Sequence, residues 1–250
     1  MDKKILKPGE RIDQLYAQNI EIIQSPDVFS FSLDAVLLAH FANPFRKRQA
    51  QTVDLCAGNG AVGLFLSSKT YGKITEVEIQ PRLADMAERS VQLNKLEDRM
   101  RVLNIDLNES TKYIQPGSIS TVTCNPPYFK DLPKSQKNPN HYLAIARHEI
   151  KVTLEQTIEM TAKLLKNKGR AYFVHRPERM VEILQIMGQN NLNPKRIQLV
   201  YPKAGKEANM ILIEAIKDGQ PGGLRFLPPL ITYNEDNEYT KEVKKILYGE

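Results

Sequence analysis

The chain has 250 residues and a formal net charge of +6, from 35 lysines and arginines against 29 aspartates and glutamates. That length supports one substantial core, and the charge favours a polyanionic partner. Two cysteines exclude a disulfide scaffold, and no apolar run approaches the length needed to span a bilayer. The polar residues 1–10 carry no apolar leader, so the expected compartment is the reducing cytoplasm, with Cys56 and Cys124 as free core thiols.

In chain order, residues 1–50 form an extension too small to fold alone, with a strand near Asn19 to Gln24 and a helix from Leu33 to Phe41. Asp34, just after Ser32, is placed as a first-turn acid at that helix's N-terminus. Gln51 to Cys56 has the makeup of a buried strand, and it runs into Ala57-Gly58-Asn59-Gly60-Ala61-Val62-Gly63 before the helical run Leu64, Phe65, Leu66. Gly58, Gly60 and Gly63 follow the G-x-G-x-x-G spacing, which fits a nicotinamide, a flavin or another nucleoside cofactor. Lys73 to Ile79 forms a second strand and brings Glu78 to the place where an acid binds a ribose diol. Asp54, ahead of the glycines, suits a cationic amino-acid moiety and would repel a pyrophosphate. A helical stripe follows through Leu83, Ala84, Met86, Ala87 and Val91, then a third strand, Arg101 to Ile105, ending at Asp106.

The apolar run Ile119 to Cys124 delivers Asn125-Pro126-Pro127-Tyr128. Asn125 offers a carbonyl acceptor, Pro126 a backbone carbonyl whose direction its ring and its proline neighbour fix, and Tyr128 a π-face. Two acceptors aimed at one exocyclic amine orient its lone pair. Beyond lie a capping box at Thr153 and Gln156, a helix from Leu154 with a basic stop at Lys166 to Gly169, and a strand from Gly169 to Val174. A helix with Met180, Ile183, Leu184 and Met187 on one face follows. Arg196 to Val200 and Asn209 to Glu214 are joined too closely for a parallel crossover and must pair antiparallel. Strands alternating with helices give a doubly wound α/β sheet. Cations gather at Lys130, Lys134 and Lys137 after Phe129, where the loop can form a lid or a phosphate-contacting rim, at Arg176 and Arg179, and at Lys203 and Lys206 in the late hairpin. His141 and His148 lack a zinc-ligand spacing, so no metal is expected.

Five segments, Phe31 to Leu38, Val53 to Gly60, Val77 to Gln80, Asn125 to Phe129 and Ala146 to Glu149, together resemble class I S-adenosylmethionine-dependent methyltransferases with an Asn-Pro-Pro-Tyr motif. Among these the chain is most similar to the bacterial tRNA1(Val) (adenine-37-N(6))-methyltransferases. Cys56-Ala57 departs from the Gly-Cys or Gly-Thr of such loops but leaves Gly58 and Gly60 in place. The resemblance implies a Rossmann-like, mostly parallel seven-stranded sheet with an antiparallel last strand. Residues 51–217 would form the core, with the 1–50 extension and a 218–250 tail packed on it. It implies S-adenosylmethionine as cofactor, so the expected cofactor site is Asp54, Gly58, Gly60, Glu78, Asp106 and Asn125. Asp106 would face the cofactor's adenine amino group and Asp34 would lie near the cofactor. The expected substrate is an adenine in a tRNA anticodon loop. Asn125, Pro126 and Tyr128 would carry the chemistry, while Tyr128, Phe129, Lys130, Lys203 and Lys206 touch the RNA. Arg147-His148-Glu149 matches the family pattern as either an ion pair or a substrate contact. The alternatives are a protein-glutamine methyltransferase acting on a release factor, a nicotinamide oxidoreductase, disfavoured by Asp54, and a non-catalytic RNA-binding module.

Overall fold

Residues 5–28, 31–131 and 140–249 are described by a computed structural model. The chain opens with an antiparallel hairpin, β1 (Arg11–Leu15) and β2 (Ile20–Gln24), turned through Asn19 in the left-handed region at φ 52°, followed by α1 (Leu33–Phe41). Next come β3 (Gln51–Leu55), α2 (Ala61–Leu66), β4 (Lys73–Glu78), α3 (Pro81–Leu93), β5 (Met100–Asn104) and β6 (Ile119–Cys124). The second half holds α4 (His141–Arg147), α5 (Leu154–Leu164), β7 (Leu165–His175), α6 (Met180–Gln189), β8 (Leu192–Tyr201) and β9 (Met210–Lys217). Two short strands, β10 (Arg225–Phe226) and β11 (Leu230–Ile231), and a last helix, α7 (Lys241–Tyr248), complete it.

The central sheet runs β10-β8-β9-β7-β6-β3-β4-β5, with β11 also on β8. Only β9 runs against its neighbours, β7 and β8, because the link from β8 to β9 is too short for a crossover. The seven expected strands are therefore joined by two more, as β10 and β11 lie parallel on β8. Each is two residues long, and Pro228-Pro229 between them leaves no alternating pattern to read.

The strands β3 and β6 are buried on both faces, which is why they are near-continuous apolar and threonine runs. One core layer packs α1, α2 and α7 on the sheet through Leu38, Phe65, Tyr172 and Val243; the other packs α5 and α6 through Leu55, Val122, Ile158 and Ile183. Full burial of each such side chain stabilises the fold by about 1.5–3 kcal/mol. Lys69 holds the end of α1 in place, its Nζ donating to the carbonyls of Ala39, His40 and Ala42 at 2.6–2.8 Å. The capping box at Thr153 and Gln156 starts α5. Its expected basic stop is corrected, because the helix ends at Leu164 and Lys166 to Lys168 already belong to β7. Leu165 turns to an extended conformation, and three exposed polar residues lengthen the strand outside the core.

Chain order along the sheet reverses between β3 and β6. A crevice opens at such a switch point, outside the carboxyl ends of the strands. Among the described residues, no helix is long and apolar enough to cross a membrane.

Candidate active site

At the end of β3 the backbone turns through left-handed conformations at Cys56 (φ 56°), Gly58 (φ 59°) and Gly60 (φ 85°). The turn is latched to β4 by a carboxylate, since Gly58 N donates to Glu78 Oε2 and Gln80 N to Glu78 Oε1, both at 2.8 Å. Burial raises the Glu78 carboxyl above the usual range, while these N–H donors pull it back. Gly60 and Gly63 have a further reason to be glycine. A Cβ on Gly63 would stand 2.3 Å from Glu76 Oε1, and one on Gly60 2.6 Å from Glu76 Oε2. Glu76 fills the space beneath α2 with both oxygens buried and unpartnered among the described residues, and burial followed by the neighbouring Asp54 drives its carboxyl well up.

A cleft open to solvent lies at this edge of the sheet. Gly58, Glu78, Asp106 and Asn125 all line it. Asp106 also has a structural duty, its Oδ1 accepting from Asn108 N at 2.8 Å to start the following turn. Of the expected cofactor residues, Gly60 shapes the turn without lining the cleft, and Asp54 does not line it either. Asp54 is buried below α2, where its Oδ1 accepts from Thr123 Oγ1 at 2.6 Å and its Oδ2 has no partner among the described residues. Burial pushes its carboxyl up to about 7, so the fixed negative charge expected at a cationic ligand is not what this position offers.

Asn125 leaves β6 directly into the cleft. Its Oδ1 lies 2.7 Å from the Tyr128 hydroxyl oxygen, which is 2.6 Å from Asp34 Oδ2. Asp34 thus reaches the site from the first turn of α1, with Oδ1 accepting from Ala35 N at 3.1 Å and from the Ser32 hydroxyl. The Tyr128 ring faces His175, centroids 5.1 Å apart. His175 Nδ1 accepts from Arg176 N at 2.8 Å, and burial, then Arg179, lowers the imidazole to about 3, so that side chain is neutral. Phe129 stays 50 % exposed, and its backbone bonds the 147–149 segment on both sides, to Arg147 O at 2.9 Å and from Glu149 N at 2.8 Å. Glu149 in turn pairs with Arg179, so this carboxylate serves structure.

The expected RNA-contacting cations separate into two groups. Lys130 lies beside the site and pairs with Glu182 at 3.1 Å. Lys203 and Lys206 stand in the turn after β8, on the same carboxyl edge of the sheet as the cleft, and Lys203 donates to Glu235 O at 3.2 Å. Lys134 and Lys137 lie outside the described residues.

The cleft also uses residues that the sequence reading passed over. Asn59 anchors the glycine turn to β2 by donating to Ile23 O at 3.1 Å, and Gln80, Ile105, Leu107, Lys151 and Val152 line the walls. The available signal was position, since Gln80, Ile105 and Leu107 immediately follow strand ends on the carboxyl side. The lining fits a purine nucleoside. Apolar walls would flank the base, open space lies above Gly58, where an added Cβ would meet nothing within 4 Å, and the buried Gln80 Oε1 lacks a partner among the described residues. Among those residues no cluster of three or more histidines, cysteines, aspartates or glutamates could hold a metal.

The family described as methyltransferase small domain matches residues 19–190. The chain is 26 % identical over 179 residues to the tRNA1(Val) (adenine(37)-N6)-methyltransferase of Shewanella halifaxensis, covering 71 % of this chain and 70 % of that one. It is 25 % identical over 202 residues to the protein of that name from Porphyromonas gingivalis, covering 79 % and 78 %. Among solved structures, an O-methyltransferase of Agrobacterium tumefaciens, so described from prediction, shares the fold at TM-score 0.67 and 24 % identity, over 87 % of this chain and 96 % of that one. A geranyl diphosphate methyltransferase in complex with S-adenosylmethionine shares it at TM-score 0.56 and 15 % identity, over 73 % and 84 %.

Proposed function

This chain belongs to the methyltransferase small domain family, and on that premise we propose that it methylates the 6-amino group of adenine 37, beside the anticodon of tRNA1(Val), using S-adenosylmethionine. The observation that carries the proposal is Asn125, which projects from the end of β6 into the same cleft that Gly58 and Glu78 line. S-adenosylmethionine, when bound, supplies an electrophilic sulfonium methyl group. Glu78 would accept from the ribose hydroxyls with the lone pairs left over from Gly58 and Gln80, the glycine turn would let the backbone come close, and Asp106 would accept from the adenine amino group.

On the RNA side, an adenine leaves its stack and lies against aromatic faces at Tyr128 and the half-exposed Phe129. The Asn125 side-chain carbonyl and the Pro126 backbone carbonyl accept from its two amino hydrogens, which aims the nitrogen lone pair at the methyl group. Transfer would break the bond between that methyl and the sulfonium sulfur, leaving S-adenosylhomocysteine, and the amine would give up one proton to solvent. Catalysis here is positioning and polarisation, which needs neither a metal nor a covalent intermediate on the protein. The anticodon loop as the docking element and the cytoplasm as the compartment follow from the same reading.

The test is transfer of a labelled methyl group into purified tRNA1(Val), set beside the same tRNA with adenine 37 replaced and beside a bacterial release factor. Label confined to the adenine-37 transcript is the expected result. Label in the release factor and none in tRNA would move the activity to glutamine, whose side-chain amide would use the same two acceptors.

A further inference from the structure

Three side chains from two parts of the chain, Asp34 of α1 and the Asn125–Tyr128 segment after β6, meet at the edge of the cleft. The Tyr128 hydroxyl oxygen lies between two oxygens, Asp34 Oδ2 at 2.6 Å and Asn125 Oδ1 at 2.7 Å. A hydroxyl has one proton to give, and a carboxylate can only accept. The proton therefore goes to Asp34, where the bond is charge-assisted and stronger. What remains facing Asn125 is a lone pair of the phenol oxygen, which requires a donor. Oxygen and nitrogen of an amide have nearly the same outline, so the proton count decides which of them faces the phenol. Exchanging the amide's Oδ1 and Nδ2 satisfies that count, with the nitrogen donating to the phenol and the carbonyl oxygen left for the cleft. We propose that Asp34 is a positioning residue which, through the Tyr128 hydroxyl, fixes the Asn125 amide with its carbonyl toward the substrate amine. The inference rests on the methyl-transfer reading above.

The surroundings hold the relay in one direction. Asp34 Oδ1 already accepts from Ala35 N at 3.1 Å and from the Ser32 hydroxyl, so the carboxylate cannot turn without stranding two donors. Burial and the Asp34 charge hold the phenol proton firmly on Tyr128. The ring packs on the neutral His175, which leaves the hydroxyl as the polar handle on this side.

The direction of the relay makes an isosteric substitution informative. In Asp34→Asn the carbonyl stays with Ala35 N–H and the Ser32 hydroxyl, and the new NH₂ group donates to Tyr128. Tyr128 must then donate to Asn125, which turns its carbonyl to the phenol and its NH₂ into the cleft, against a substrate that needs an acceptor. Tyr128→Phe removes the relay and lets the amide take either orientation.

The experiment measures single-turnover methylation of tRNA1(Val) and S-adenosylmethionine affinity for Asp34→Asn, Tyr128→Phe and the double variant. The expected rates are a loss of about 100-fold for Asp34→Asn and about 10-fold for Tyr128→Phe. The double variant should return to the Tyr128→Phe rate, faster than Asp34→Asn alone, with cofactor affinity within a few fold throughout. An Asp34→Asn rate near that of the unsubstituted protein, or losses that multiply in the double variant, would overturn the relay. A second readout needs no turnover, namely the side-chain amide resonances of Asn125 in ¹⁵N-labelled protein. They should shift in Tyr128→Phe, and resonances that stay put refute the proposal. If the unsubstituted protein leaves tRNA unmethylated, the substrate reading falls, and the amide resonances decide the relay on their own.

Discussion

Glu78 is a single carboxylate with two tasks, since it latches the glycine turn through Gly58 N and Gln80 N and faces the cleft that a nucleoside would enter. Losing a charge-assisted contact to a ribose diol costs about 1.5–3 kcal/mol, so Glu78→Ala should weaken S-adenosylmethionine binding by roughly 10- to 150-fold in calorimetry. Unchanged affinity would remove the cofactor role. Asn125→Ala should behave in the opposite way, because its amide is proposed to act mainly on the substrate amine. Turnover should fall by at least about 100-fold with cofactor affinity within a few fold, and a normal single-turnover rate would reduce the tetrapeptide to a structural bend.

At the scale of elements, β3 and β4 place Asp54 and Glu76 in register beneath α2, two acids where a parallel sheet normally keeps apolar side chains. The Asp54 carboxyl sits at about 7 when folded, chiefly through burial, against about 3.9 in a free chain. Between those values the folded state keeps a proton that the unfolded state has released. This share of stability is complete below about pH 4 and is lost as pH rises to 7, by at most about 1.4 kcal/mol per unit. Denaturant midpoints at pH 5 and pH 7 should therefore differ less in Asp54→Asn than in the unsubstituted protein. An identical difference in the two proteins would show that Asp54 does not titrate in that range. The same residue shows where the sequence was legible and where it was not. The strand, the glycine turn and the acid at Glu78 have strong local signatures, and they stand where periodicity and spacing placed them. Asp54 looked equally convincing, but whether a strand-end acid faces a cleft or the underside of a helix depends on the packing of α2, which the glycines alone do not reveal. Likewise Asp34 could be placed at a helix start, while its contact with Tyr128 depends on a docking 94 residues away in sequence. The helix α7 had a readable cap at Thr240 and buried Val243 and Ile246, yet the prolines and glycines ahead of it concealed the element.

Across the whole molecule, the positive charge that would serve the proposed tRNA substrate is that on the carboxyl edge of the sheet, because RNA reaching the cleft would pass over that rim. Lys203 and Lys206 stand there, whereas Lys130 is engaged with Glu182. Changing both Lys203 and Lys206 to Ala should flatten the dependence of log affinity for tRNA on log salt by about one to two units and leave cofactor affinity alone. A slope unaffected by the double change would place the RNA elsewhere. The 218–250 segment has an effect that concerns neither cofactor nor RNA. By laying β10 and β11 along β8, it occupies backbone donors and acceptors that would otherwise form an open margin of the sheet. Such a margin is a template for another chain. A protein ended at Asp218 should also lose the apolar cover that α7 gives α1. Light scattering should find it self-associating at concentrations where the full chain remains dispersed, so that the C-terminal segment is what keeps one copy from adding to the next.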